Sequence, residues 1–229
     1  MNKLSNLQRD TLDVQELQIK AYRENGGVRL GPWSSHFFYS DPKHLAFSLS
    51  RYKFVSKIFS GYNSVLEVGC GDCFGSVIVA DSVDKYIGID FDEFIIEDNR
   101  GRLQQIDNMS FFANDILVEP FFEKVSAAFS LDVIEHIPFE MERTFIENIV
   151  SSVNDGPLLI GTPNVTAQEY ASPHSKKSHI NLKSAESLAK SLEPFYKTIF
   201  NFSMNDELVH TGYSSMAHYI FALGVDRRI

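Results

Sequence analysis

From residue 64 onward, short apolar runs alternate with longer amphipathic stretches. The runs near 64–68, 86–90, 109–113, 125–131 and 157–162 read as strands, with helical segments between them. Such alternation predicts an α/β fold: a parallel sheet with helices on both faces. Ahead of the first strand, Asp41-Pro42 marks a helix start, an acid at the cap and proline in the first turn, and Leu45, Leu49, Tyr52, Val55 and Phe59 then share one face. After the fourth strand, Pro138 is expected to open a helix whose stripe is Phe145, Ile146, Ile149, Val150 and Val153, stopped by Asp155-Gly156-Pro157. A further helix spans about Ser184 to Leu192, ended by Pro194. The last two strands, near 197–203 and 217–224, are joined by a polar connection without helical period and are expected to pair as an antiparallel hairpin at the sheet edge.

Residues 1–25 are polar with scattered leucines (Leu4, Leu7, Leu12, Leu17), a loose helix or an arm. Between Gly26 and His36 lies a glycine-hinged, aromatic segment suited to covering a ligand. The expected organisation is an N-terminal arm and cover helix over 1–60 and the sheet domain over 61–229.

The first strand runs into a glycine-rich turn, Val65-Leu66-Glu67-Val68-Gly69-Cys70-Gly71-Asp72-Cys73-Phe74-Gly75, and Asp90 closes the second, Tyr86-Ile87-Gly88-Ile89-Asp90. Glycines at a strand exit let backbone N–H groups approach a ligand, and a carboxylate ending the next strand can accept both hydroxyls of a ribose. The spacing Gly-x-Gly-x-x-x-Gly departs by one residue from the dinucleotide fingerprint. Glu67 disfavours a pyrophosphate and suits a cationic ligand head.

These residues resemble the first motif of the class I S-adenosylmethionine-dependent methyltransferases: an acid, one residue, then Gly-x-Gly. The resemblance continues through Asn114-Asp115-Ile116, placed like that family's adenine-contacting acid, and through Phe129-Ser130-Leu131-Asp132-Val133-Ile134-Glu135-His136-Ile137, similar to the segment after strand four in ubiquinone-biosynthesis O-methyltransferases. It implies a Rossmann-like, seven-stranded, mostly parallel sheet with the last strand reversed, and S-adenosylmethionine as cofactor. It also implies the cofactor contacts. Gly69, Cys70 and Gly71 receive the methionine portion, with Glu67 below them. Asp90 takes the ribose, Phe91 packs on the adenine, Asp115 and Ile116 meet its edge, Leu131 faces the cofactor from strand four, and Asp132, a candidate catalytic residue, faces both the cofactor and the incoming nucleophile.

The chain has 229 residues, enough for one domain with a full core, and 44% of them are hydrophobic. No apolar run reaches the ~20 residues of a membrane span, and the polar start does not read as a secretory signal, so a cytoplasmic enzyme is expected. The formal net charge is −9 without a basic block, which argues against nucleic acid as substrate. The two cysteines, Cys70 and Cys73, both lie in the glycine turn; with no second pair, a zinc or redox role is not expected.

Methyl transfer needs an in-line nucleophile and, for a hydroxyl, a group that takes its proton. His136 follows strand four and is a candidate base, with capping of the Pro138 helix as its structural alternative. His174 and His179 lie in the long polar segment Tyr170 to Asn181, similar to His-Ile-Asn segments of some small-molecule and sugar methyltransferases; their five-residue spacing is not a helical pair, and no metal is expected. Trp33, His36, Arg51 and Tyr170 are candidate acceptor contacts. The expected reaction is methylation of a small polar acceptor, a sugar or nucleotide-linked sugar hydroxyl, with a phenolic or quinone-type acceptor as the alternative. A nicotinamide-dependent oxidoreductase shares the glycine turn and strand-end acid, but Glu67 and the glycine spacing count against it. A protein-methylating or non-catalytic module is a further rival, and homodimerisation is left open.

Overall fold

A computed structural model describes the backbone of residues 2–228 and side chains from residue 13 to 228. The chain forms two compact units, Met1–Leu30 and Gly31–Ile229, whereas the sequence pattern placed its boundary at residue 60. The first unit is built on one long helix, α1 (Asn2–Asn25). In the second, α2 (Pro32–Ser40) and α3 (Pro42–Ile58) precede β1 (Val65–Val68), α4 (Ser76–Ala80), β2 (Tyr86–Asp90), α5 (Glu93–Arg102), β3 (Met109–Ala113) and β4 (Ala127–Leu131). There follow α6 (Glu142–Ser152), β5 (Leu158–Pro163), α7 (Pro173–Ser178), α8 (Ala185–Leu192), β6 (Tyr196–Asn205), β7 (Leu208–His210) and β8 (Tyr219–Arg227).

The sheet runs β3-β2-β1-β4-β5-β8-β6-β7, parallel through β5 and antiparallel beyond it. It therefore has eight strands rather than seven. The extra one comes from the polar connection after β6: Asp206 adopts a left-handed φ of 47°, a conformation aspartate tolerates, and turns Leu208–His210 back to pair with Ser203–Asn205. β6 and β8 pair antiparallel as expected, but β8 is internal and β7 takes the edge.

Strand side chains alternate between two buried clusters. Leu66, Val68, Ile87, Ile89 and Ile160 pack with Phe145, Ile146, Ile149 and Val150 of α6 and Leu188 and Leu192 of α8. Val65, Tyr86, Ala127, Phe129 and Leu131 pack with Val55 of α3, Phe59 just beyond it, and Val79 and Ala80 of α4. Two helix starts differ from expectation. Pro138 is extended (φ −53°, ψ 139°) and leads into a single 3-10 turn, Phe139–Met141, so α6 begins at Glu142. Asp41 precedes α3 without a side-chain cap bond, its φ of −154° and ψ of 77° holding it outside cap geometry. Ser184 does cap α8, exchanging bonds with Ser187 in a capping box.

The sheet order reverses between β1 and β4, and a crevice opens there beyond the strands' carboxyl ends. Every segment that carries a candidate functional residue, apart from the first unit, borders that end.

Candidate functional site

A single cavity of about 1350 Å³ lies over the β1/β4 switch point. At one end it is lined by Gly69, Cys70, Gly71, Asp90, Phe91, Asp115, Ile116 and Leu131, and at the other by Arg51, Asp132, Glu135, His136, His179, His218 and Tyr219. Trp33 and Phe37 of α2 and His44 and Phe47 of α3 form its wall.

The glycine turn is built for close approach. Gly69 has φ 73°, and a Cβ there would stand 2.3 Å from Val133 Cγ2. Gly69 and Cys70 both donate their N–H groups to Ile89 O, at 2.9 and 3.0 Å, which locks the turn to the end of β2. Asp90 completes the lock: its Oδ2 accepts the Gly71 N–H at 3.1 Å and its Oδ1 the Asp92 N–H at 3.1 Å. Burial pushes the Asp90 carboxyl upward while these backbone donors pull it down. Asp115 Oδ1 accepts the Leu117 N–H at 2.9 Å, fixing the bend that exposes its carboxylate beside buried Ile116. Phe91 is 78% exposed on the rim, an open aromatic face. The two cysteines are free and buried; Asn99 Nδ2 donates to Gly71 O at 2.7 Å and contacts Cys73 Sγ at 3.3 Å, so they pack the back of the turn.

Glu67 does not line the cavity. Strand alternation turns it to the α3 and α4 face, where it is fully buried and accepts from Tyr52 Oη at 2.6 Å, Ser76 Oγ at 2.7 Å and Tyr86 Oη. Burial pushes its carboxyl up to about 7 against the pull of these three hydroxyls. Its place is structural support for the turn, bridging helix and sheet. The expected interaction with a ligand head therefore runs through the turn it holds.

At the other end, Asp132 leaves β4 with a left-handed φ of 56°. Its Oδ2 receives Arg51 Nη1 at 2.6 Å, and the guanidinium lies 3.9 Å over the Tyr219 ring. Arg51, a candidate acceptor contact, is thus buried and paired on the cavity wall. Burial works to lower its pKa, but Asp132 outweighs it and raises it. Tyr219 keeps its proton, burial and the nearby carboxylates driving its hydroxyl well above the ordinary range.

The histidines divide. His136 lies in the 3-10 turn Ile134–His136 with its Nδ1 3.0 Å from Ser178 O, so it ties down the α7 segment instead of capping α6. His179 stands beside it, ring centroids 5.1 Å apart, both on the cavity. His174 is exposed on α7, off the cavity wall, because α7 turns that face to solvent; His36 is likewise exposed on α2, and His44 lines the cavity in its stead. Trp33 and Tyr170 do border it, Tyr170 at the open rim. Sequence reasoning missed Glu135 as a site residue. It is 1% exposed, accepts from Thr162 Oγ1 at 2.9 Å, and burial together with Asp132 pushes it up to about 8. The available signal was an acid directly before His136 within an apolar segment.

Among the described residues, no helix is long and apolar enough to cross a membrane. No curated protein matches the chain in sequence. Residues 65–156 match a family described as methyltransferase domain. Similar solved structures include the methyltransferase domain of bacterial CtHen1 (14% identity, TM-score 0.65, covering 78% of this chain and 98% of that one). N-methyltransferase NodS from Bradyrhizobium japonicum, in complex with S-adenosyl-L-homocysteine, matches at 19% identity and TM-score 0.57, covering 80% and 85%. A DhpI complex with the same product matches at 16% identity and TM-score 0.58, covering 83% and 85%. Residues 65–156 thus match a methyltransferase domain, and the chain has the α/β, Rossmann-like fold of the methyltransferase structures to which it is similar.

Proposed function

We propose that the chain is an enzyme that transfers a methyl group from S-adenosylmethionine to an oxygen of a small polar acceptor, a hydroxyl of a sugar or nucleotide-linked sugar, in the cytoplasm. The observation that carries this reading is the continuity of one cavity from Gly69, Asp90 and Asp115 to Asp132, His136, His179 and Tyr170. The cofactor occupies the first end: methionine portion over the glycine turn, ribose hydroxyls on Asp90, adenine against Phe91 with its amine toward Asp115. The acceptor occupies the second. Its oxygen forms a bond to the sulfonium methyl carbon, and the S–CH3 electron pair stays on sulfur to give the neutral thioether. The hydroxyl proton leaves toward the carboxylate and imidazole groups of Asp132, His136 and His179. Trp33, Phe37 and the rest of residues 31–60 serve as cover.

The aromatic wall of Trp33, Phe37, Phe47 and Tyr219 favours a second reading, a phenolic acceptor stacked against these rings. Calorimetry with S-adenosylmethionine, S-adenosylhomocysteine and NAD on the wild type and Asp90→Ala tests the cofactor end. Binding of the first two, lost in the variant, supports the reading, and binding of NAD alone overturns it. Sugar and phenol acceptors offered with labelled methyl donor then separate the two acceptor classes.

A further inference from the structure

Glu135, His136 and His179 each bring one donor atom to within 4.8 Å of the others. They come from two segments distant in sequence that the fold ties together at several points. Glu135 O accepts the backbone N–H groups of both Ile180 and Asn181, at 2.8 and 3.0 Å. Asn181 Nδ2 donates to Glu142 Oε2 at 2.8 Å, and buried Lys183 pairs with the same carboxylate. The His179 ring is therefore held against the 3-10 turn by backbone on one side and a buried ion pair on the other.

We propose that this trio is a binding site for a first-row divalent transition-metal ion. The hydrogen-bond pattern around each member is that of a ligand. A carbonyl oxygen only accepts, so the 3.0 Å contact to Ser178 O puts the His136 proton on Nδ1 and leaves the Nε2 lone pair free. Metal-ligating histidines are oriented in this way, one nitrogen donating to a backbone carbonyl and the other binding the ion. His179 carries a buried Nδ1 with no hydrogen-bond partner. Glu135 accepts from Thr162 Oγ1 on Oε2 at 2.9 Å, which orients the carboxylate. Two imidazoles and one carboxylate suit manganese through zinc better than magnesium or calcium, which prefer all-oxygen shells. The trio borders the cavity, so open coordination positions would face it.

The role of the ion rests on the methyl-transfer reading: an acceptor oxygen bound at an open position would be more acidic and fixed in direction, and with His136 and His179 serving as ligands its proton would leave toward the Asp132 carboxylate, the remaining base of that reading. Binding itself does not depend on that reading. An acceptor with two adjacent oxygens, as in a vicinal diol, would fill two positions.

The full chain, stripped with a chelator and titrated with Co2+, should show ligand-field absorption at a stoichiometry of one. Glu135→Gln, His136→Ala and His179→Ala should each weaken Co2+ binding by about tenfold or more. His174→Ala, altering an exposed histidine of the same segment, should leave it unchanged. Retained S-adenosylhomocysteine binding certifies that each variant is folded. Independently of any variant, Mn2+ should broaden the ring proton signals of His136 and His179 in the wild type ahead of those of His174. Absence of Co2+ binding by the wild type, or equal broadening of all three histidines, overturns the proposal. Co2+ binding without S-adenosylhomocysteine binding would leave the metal site standing and remove the methyl-transfer reading; the reverse result would do the opposite.

Discussion

Arg51 Nη1 donates to Asp132 Oδ2 at 2.6 Å, tying the covering helix α3 to the residue that leaves β4. The two partners differ in solvent access: the arginine side chain is 9% exposed and the aspartate 42%. Losing the arginine leaves a carboxylate that water can reach. Losing the aspartate's charge strands a buried cation.

The asymmetry orders two variants. Asp132→Asn, which keeps a side chain tolerant of the left-handed φ of 56°, should destabilise by about 3 kcal/mol, and Arg51→Met by about 1–2 kcal/mol. Urea unfolding read by fluorescence and far-UV dichroism measures both. A larger loss in Arg51→Met would mean that the packing of the guanidinium over Tyr219, and not the charge pair, dominates.

Glu67 gives the fold a pH dependence of unusual sign for a carboxylate. Its folded pKa, raised by burial to about 7, exceeds the value near 4.5 of the free side chain, so the native state binds more protons between these limits. Stability from this group is fully present below about pH 4.5 and is lost as pH rises through about 7. Glu67→Gln, which removes the titrating group and keeps one acceptor oxygen, should flatten the slope of thermal stability between pH 5 and 8 relative to wild type, with the order of 1–3 kcal/mol at stake. Parallel slopes for the two proteins would show that Glu67 stays ionised when buried.

The parallel half of the sheet was legible because buried parallel strands leave continuous apolar runs, and the glycine-turn end of the cavity was legible as a place because a glycine turn and a strand-end acid are local features. Three things were not. Strand β7, Leu208–His210, is three residues long, too short to show a period of two, so only the turn at Asp206 reveals it. The burial of Arg51 depends on Asp132, 81 residues away, and no local pattern on α3 distinguishes it from its exposed neighbours. The replacement of His174 by Glu135 beside His136 and His179 follows from the backbone bonds of Ile180 and Asn181 to Glu135, a long-range pairing without periodicity. Glu67 was expected below the glycine turn, and strand alternation places it there, while its three hydroxyl donors, Tyr52, Ser76 and Tyr86, come from elements that no local pattern connects to it.

Gly69→Ala tests the turn directly. A methyl group there meets Val133 Cγ2 at 2.3 Å in a left-handed backbone, so the turn or the β4 exit must shift. The expected cost is about 1–3 kcal/mol of stability together with loss of cofactor binding. A Gly69→Ala, Val133→Ala pair removes the collision and leaves the backbone strain, and should recover part of the stability. No recovery would assign the whole effect to φ.

The two acids at the cofactor end should differ in weight. Asp90 is 8% exposed and its two oxygens already organise the turn through Gly71 N and Asp92 N, so an amide at this position would turn a donor toward one of these N–H groups. Asp90→Asn therefore disturbs the turn and, on the proposed cofactor pose, the partner of the ribose hydroxyls, each a charge-assisted bond of about 1.5–3 kcal/mol. S-adenosylhomocysteine affinity should fall by roughly a hundredfold. Asp115 is exposed and makes one local bond to Leu117 N, so on the proposed pose Asp115→Ala removes a single contact to the adenine and should cost less than about tenfold. Calorimetric titration of both variants checks the ranking. If Asp115→Ala were the more damaging, the adenine edge, and not the ribose, would be the main anchor of the cofactor, and the ligand would sit further toward β3 than the glycine turn requires.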